Sequence, residues 1–227
     1  MKKGICIILI ILLFTVSFYF LYKIFTIKPT SYNIDNIPDY NGKSHIDING
    51  GKPFFNEEDY LVDIFEEYSD LDIYGRAIKA YAKIGKELMP TEKRKSITGV
   101  KPTGWHTVKY DNINGKYLYN RCHLIGFQLT GENANEKNLI TCTRDMNSVT
   151  MLYYENLVAK YIKDTDDEVL YRVTPIYTGN DLVAKGVLME ASSVSDRCGK
   201  ICFNVFVYNV QDGIIIDYLT GESSLAY

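Results

Sequence analysis

The chain has 227 residues, a length that holds one domain, or one domain with an appendage. Hydrophobic residues make up 46% and charged residues 23%, which excludes a disordered or low-complexity chain. The net charge of −3 excludes a generally basic protein that coats nucleic acid, but leaves room for a local basic surface.

The first element is apolar. Gly4 to Tyr22 carries no charged side chain. As a helix it spans about 28 Å, close to the thickness of a bilayer's hydrocarbon core. It is longer than the apolar core of a secretory signal peptide, and bulky residues follow it. It reads as an uncleaved single-pass signal anchor (residues 1–23), the alternative being a signal peptide that is removed. Lys2 and Lys3 favour a cytoplasmic N-terminus, although Lys23 and Lys28 weaken the bias. The body of the chain is therefore expected outside the cell, membrane-anchored, or secreted if the segment is cleaved. Residues 24–45, with Pro29, Pro38 and several Asn and Ser, read as a tether. His45 lies in or near it. Residues 46–227 are expected to form one folded domain.

Two helices are predicted first. Asn56 is an N-cap candidate followed by Glu57, Glu58 and Asp59, and Tyr60, Leu61, Ile64, Phe65 and Tyr68 form a helical stripe. Arg76 to Leu88 is the second, ended by Pro90. Strands are predicted at His106 to Tyr110 and Tyr117 to His123, around an Asn114-Gly115 turn. A third helix is predicted over Asn147 to Lys163. An antiparallel meander follows at Val169 to Thr178, Leu182 to Ser193, Ile201 to Val210 and Ile214 to Leu219. The fold class is α+β.

Charge is segregated along the chain. His45 to Gly75 holds nine acids against one base, and Arg76 to His123 holds eleven bases against three acids. This pattern fits two solvated faces that attract one another, and equally a basic surface for a polyanion.

Three histidines are available. His106 follows Trp105 in a strand-like segment and suits a structural hydrogen bond. His123 ends a strand-like run and precedes a polar loop, which suits chemistry better. Cys122 beside it is a poor nucleophile partner, because neighbours on a strand point to opposite faces. Cys198 and Cys202 have too few companions for a zinc site. Cys122, Cys142, Cys198 and Cys202 form an even set outside the apolar segment. Three full pairings or four free thiols remain open.

Several blocks carry a resemblance: Asn120-Arg121-Cys122-His123-Leu124-Ile125-Gly126, Asn138-Leu139-Ile140-Thr141, and Asn147 followed by Glu155. Met89-Pro90-Thr91-Glu92-Lys93-Arg94, Pro102-Thr103-Gly104-Trp105-His106 and the tail Phe203 to Gly221 add to it. Together they resemble the DNA/RNA non-specific endonucleases, of the ββα-metal (His-Me finger) class, and within it the streptococcal DNases and DNA-entry nuclease. The likeness runs from Tyr74 to Gly221. Asn120 stands where the family motif has Asp, and Cys122 where it has Gly.

The resemblance implies a ββα-metal core and an Mg²⁺-dependent endonuclease, with Mn²⁺ as an alternative ion. His123 would be the general base, its ordinary pKa of about 6.5 suiting neutral pH. Asn147 would be the protein ligand of one ion, and Glu155 would reach that ion through a bound water. Arg121 is the motif arginine. Arg94 is a candidate for gripping phosphate bidentately, supported by Lys93 and Asn120. Phosphate contacts carry no base information, so DNA, and RNA as a further substrate, would be cut with little sequence preference. Ends bearing 5′-phosphate are expected from the same likeness. The loop Thr130 to Asn135 has amides that suit either the site or plain surface. The rival classes are a nuclease-like module that captures DNA without cutting it, and a hydrolase of another polyanion or a cysteine enzyme. No protein partner is indicated.

Overall fold

A computed structural model describes residues 37–226; the Gly4–Tyr22 segment and most of the tether lie outside the described residues. Among the described residues, no helix is long and apolar enough to cross a membrane.

A six-stranded antiparallel sheet is the scaffold. It contains β1 (His45–Asp47), β2 (Phe65–Tyr68), β3 (Ala80–Ile84), β6 (Val169–Ile176), β7 (Gly186–Ser193) and β8 (Cys202–Tyr208). The spatial order is β1-β8-β7-β6-β3-β2. Period-two alternation sends Ala80, Ala82 and Ile84 of β3 to one face. Val169, Tyr171 and Val173 of β6, Val187, Met189 and Ala191 of β7, and Phe203, Val205 and Val207 of β8 join them. That face packs on one long helix, whose Met151, Tyr154, Val158, Ala159 and Ile162 complete the main core.

The opposite face is mixed, with buried Leu170, Leu188 and Phe206 beside charged pairs, and the segment before β2 covers part of it. There Arg172 donates to Glu190 at 2.7 and 3.0 Å. Glu190 also accepts from the Phe54 N–H at 2.8 Å. Lys83 pairs with Glu168 at 2.7 Å and donates to the Val62 carbonyl at 2.7 Å.

The second unit is a finger. β4 (Tyr119–His123) and β5 (Leu139–Thr143) form a separate antiparallel pair. A π-helical turn, Met146–Met151, then leads without a break into α2 (Leu152–Thr165). A short helix α1 (Phe127–Thr130) lies in the β4–β5 connection. Asn209 ties the finger to the sheet: its amide accepts from Thr143 N–H at 2.8 Å and donates to the carbonyls of Thr141 and Ala184. β9 (Ile214–Ile216) and β10 (Ser223–Leu225) form a small ribbon over the Ile113, Leu118 and Tyr119 cluster.

The α+β reading holds in its coarse form, a mainly antiparallel sheet with few helices, but two predicted helices are absent. Asn56 does cap a turn, its N–H donating to Asp59 at 2.6 Å, but the turn is a single 3₁₀ one, Glu57–Tyr60. Phe65 to Tyr68 is an edge strand. Arg76 to Leu88 contains strand β3 and a 3₁₀ turn at Lys86–Leu88. Ala and Lys favour helix locally, but β3 is flanked by strands on both sides and buried on both faces, so pairing overrides propensity. The predicted strand at His106 to Tyr110 shrinks to one bridge, Lys109 with Tyr117. The last predicted strand of the meander, Ile214 to Leu219, leaves the main sheet and pairs with β10. His45 is not tether: it opens β1 opposite Val207, and upstream of it the Pro38 carbonyl accepts from the Tyr208 hydroxyl.

The cysteines pair as Cys122–Cys142 and Cys198–Cys202, with Cα separations of 5.9 and 4.6 Å. Cys122 lies opposite Ile140, and Asn120 opposite Cys142, so the first bond joins diagonal neighbours on one face of the finger. Cys122 sits in strand backbone without a positive φ, so the place of the family's Gly is filled without strain.

Candidate active site

His123 is the last residue of β4 and is buried. Its Nε2 lies 2.7 Å from the Asn133 carbonyl, and its Nδ1 lies 3.4 Å from Nη2 of Arg94. A carbonyl only accepts and a guanidinium only donates. Both contacts therefore fix the same tautomer: neutral, with the proton on Nε2 and the lone pair on Nδ1. Burial lowers the His123 pKa to about 4, the Asn133 carbonyl opposing this and the Arg94 charge adding to it. The ring is thus held as a free base at neutral pH.

The strand after His123 is pinned by Asn138. Its amide accepts from the Ile125 N–H at 2.9 Å and donates to the Ile125 carbonyl at 3.0 Å. The next residue, Gly126, touches Glu155 from α2. A Cβ at Gly126 would come within 2.5 Å of a Glu155 oxygen, so only Gly leaves room for the carboxylate. Burial pushes the Glu155 pKa up to about 8, against Gln128, the Gly126 N–H and the Arg94 charge, which all lower it.

Asn147 sits in the π-helical turn. Such turns are rare and concentrate at functional sites. It lines an open cleft of about 540 Å³ together with Arg94, Asn120, Arg121 and Arg144. Its amide has no hydrogen-bond partner among the described residues. A free amide oxygen in an open cleft is a hard donor that suits Mg²⁺, which keeps most of its waters. Among the described residues no three His, Cys, Asp or Glu side chains cluster as a metal cage. The Asn147 amide oxygen fits a hydrated divalent ion as a single protein donor.

The structure thus gathers most of the expected site. Arg94, Asn120, Arg121 and Asn147 share one cleft, and Arg94 links that cleft to His123 and Glu155. Lys93 is apart: it lines a neighbouring cleft of about 320 Å³ with Lys95, Pro90 and Phe127. Arg121 is committed to the protein. It donates to the Val100 carbonyl and, at 3.0 Å, to the Thr98 carbonyl, and lies 4.0 Å over the Trp105 ring. It shapes the cleft wall by holding the 98–105 loop. Asn120 makes no hydrogen bond to His123 and lies on the other side of the strand by alternation. The role of orienting the imidazole falls to the Asn133 carbonyl.

The sequence reading missed Asn133's main chain, Asn209 and Arg144. A carbonyl has no sequence signature, and Asn209 lies far from the motif. Arg144, three residues before Asn147, was the legible one. The loop holding Asn133 does face the site, through its carbonyl, while the Asn133 amide accepts from the Lys95 N–H at 3.2 Å. His106 bonds the Thr220 carbonyl, a structural role.

Known proteins give the same picture. The profile of the DNA/RNA non-specific endonuclease family matches residues 58–195. A deoxyribonuclease of Streptococcus dysgalactiae subsp. equisimilis is 31% identical over 196 residues, covering 68% of this chain and 59% of that protein. The chain therefore spans about three-fifths of that relative's length. NucA from Streptococcus agalactiae, solved with magnesium bound, superposes with a TM-score of 0.72 at 27% identity, over 85% of this chain and 93% of that one. Its metal-free form gives 0.73 at 29% identity, over 85% and 92%. Sda1 nuclease with bound zinc gives 0.64 at 26% identity, over 84% and 98%. With the family profile spanning β2 to β7 and the His123–Asn133 and Asn147 arrangement inside it, the chain belongs to the DNA/RNA non-specific endonuclease family.

Proposed function

We propose that the protein is a metal-dependent endonuclease that hydrolyses DNA, and RNA as a further substrate, without strong sequence preference. One observation carries the reading: the buried His123 has its proton locked on Nε2 by a carbonyl, so that Nδ1, whose lone pair meets the Arg94 guanidinium at 3.4 Å, is the ring atom left to take a proton. Arg94 holds the scissile phosphate by its guanidinium fork, next to the base. His123 Nδ1 removes the proton from the attacking water. Asn147, with Glu155 behind it, would hold the ion. A bound Mg²⁺ supplies positive charge to the developing phosphorane and the leaving 3′-oxygen. Arg121 keeps the cleft wall in place, and Lys93 extends the positive surface away from the cut.

The domain works outside the cell in this reading. Two disulfides support an oxidising compartment. The apolar Gly4–Tyr22 segment supports a membrane anchor.

Plasmid digestion in Mg²⁺ tests the proposal. His123→Ala should lose about 10²–10⁴-fold in kcat while binding DNA normally. EDTA should silence the parent, and Asn147→Ala should mimic EDTA. Undiminished cutting by His123→Ala would remove the proposed mechanism. DNA binding without cutting by the parent would favour the capture module instead.

A further inference from the structure

The chain has six arginines, and they sort into two groups. Arg76 pairs with Asp72, Arg172 with Glu190 and Arg197 with Glu57. Arg121 is taken by two carbonyls. Arg94 and Arg144 have neither carboxylate nor carbonyl partners among the described residues, and both line the cleft that contains Asn147.

Arg144 is half-buried and leads out of β5 into the π-helical turn. Its N–H donates to the Leu118 carbonyl at 2.9 Å, which fixes its backbone against the neighbouring hairpin. Its guanidinium lies over Gly115, where a Cβ would stand 3.1 Å from its Cζ. Gly115 also has a φ of +77°, so the turn needs Gly twice over. The turn gives the cation a seat without giving it an anion. Partial burial strips water from a charge and leaves it to be compensated by a ligand. Beside it, Tyr117 is 44% exposed and lines the same cleft, with the Lys109 ammonium 4.6 Å from its ring centroid. A guanidinium and a part-exposed aromatic ring lining one cleft, the ring with a cation on one face and the other left for a base, make a pairing that takes a nucleotide: phosphate on one, base on the other.

We propose that Arg144 and Tyr117 form a subsite for the nucleotide flanking the cut, Arg144 taking a phosphate other than the scissile one and Tyr117 stacking on its base. This rests on the endonuclease reading. Arg94 touches the base His123 and so takes the scissile phosphate; Arg144 touches neither His123 nor Glu155. The contact is equal in ground and transition states, so it acts on KM rather than kcat.

The test measures binding of a fluorescein-labelled single-stranded DNA oligonucleotide, whose bases are free to stack, in EDTA over a range of salt, with plasmid cleavage in Mg²⁺ alongside. Arg144→Ala should weaken binding about tenfold and shrink the log K against log salt slope by about 0.7, one phosphate contact. Its KM should rise with kcat kept. Arg144→Lys should keep the slope and recover part of the affinity, and it serves if Arg144→Ala loses its circular dichroism. Tyr117→Ala should weaken binding several-fold with the slope unchanged. Parent-like binding and slope in Arg144→Ala, or a fall in kcat at constant KM, overturns the phosphate contact. Parent-like binding by Tyr117→Ala removes the stacking contact. A parent that neither binds the oligonucleotide nor cuts plasmid overturns the endonuclease reading itself.

Discussion

Buried charge is handled in opposite ways in two regions of this molecule. On the covered face of the six-stranded sheet, Arg172 and Glu190 satisfy one another and the Phe54 backbone, and Lys83 is met by Glu168 and a carbonyl. Around the finger, His123 keeps a lone pair, Glu155 is buried without a cationic hydrogen-bond partner, and Arg94, Arg144 and Asn147 face an open cleft. The first region is closed, and it tells only of stability. The second leaves donors, acceptors and charges for something that is not protein. Charges and donors left open on a cleft, rather than charge itself, mark the site, since a buried polar atom without a partner among the described residues also occurs in the main sheet, at Asn204.

The comparison breaks most readily at the closed pair. Arg172→Ala leaves the buried Glu190 without its cation and with the Phe54 N–H as its remaining donor, and should cost about 3–5 kcal/mol in urea unfolding. Below the unfolding transition, DNA cutting should be unchanged. A loss of kcat in the folded variant would show that the two regions are not separate.

A smaller effect should appear in metal-free protein as pH changes. Glu155 releases its proton near 4.5 when unfolded and near 8 when folded. Between those values the unfolded chain binds fewer protons than the fold, so stability is lost as pH rises through the window. His123 acts the other way: neutral in the fold down to about 4 but protonated below 6.5 when unfolded, it loses stability as pH falls. The two oppose below pH 6.5, and above it Glu155 alone of the two remains. Glu155→Gln should therefore gain most over the parent at pH 8 and least near pH 5, read as Tm in EDTA. A pH-independent difference would refute the burial argument.

The smallest effect sharpens the role of the motif's departure. Asn120→Asp restores the family's carboxylate, but the Asn133 carbonyl already orients His123. Turnover should change by less than about tenfold, within 1.4 kcal/mol of barrier. A larger gain in plasmid cutting would return the orienting role to residue 120.

Much of the finger was legible before any fold. The strand ending at His123 and the helix from Asn147 were expected from local pattern, but the roles of Asn147 and Glu155 came only with the family resemblance, and strand β5 was not anticipated. The apolar pattern of Val169 to Val210 likewise announced three adjacent antiparallel strands. The region from Asn56 to Leu88 was misread because its strands join partners far away, Phe65 to Lys83 and Ala80 to Val173, while its residues favour helix locally. The charge pattern was half read. Arg76 and Lys79 do meet acids of the preceding stretch, Asp72 and Glu67, whereas Arg94 and Arg121 turn to the cleft.

By itself the sequence, through its family resemblance, offered the candidate groups: an imidazole, an amide and a carboxylate, with guanidinium groups upstream. Side-chain chemistry and local periodicity are properties of neighbouring residues, so they are written in the chain. Only the tertiary structure decided the state of those groups. It chose the tautomer of His123 through a carbonyl ten residues away, buried Glu155 against a glycine, joined Cys122 to Cys142, and left Arg144 without an anionic partner among the described residues. Those outcomes depend on desolvation and on main-chain groups brought from elsewhere, which no residue carries alone.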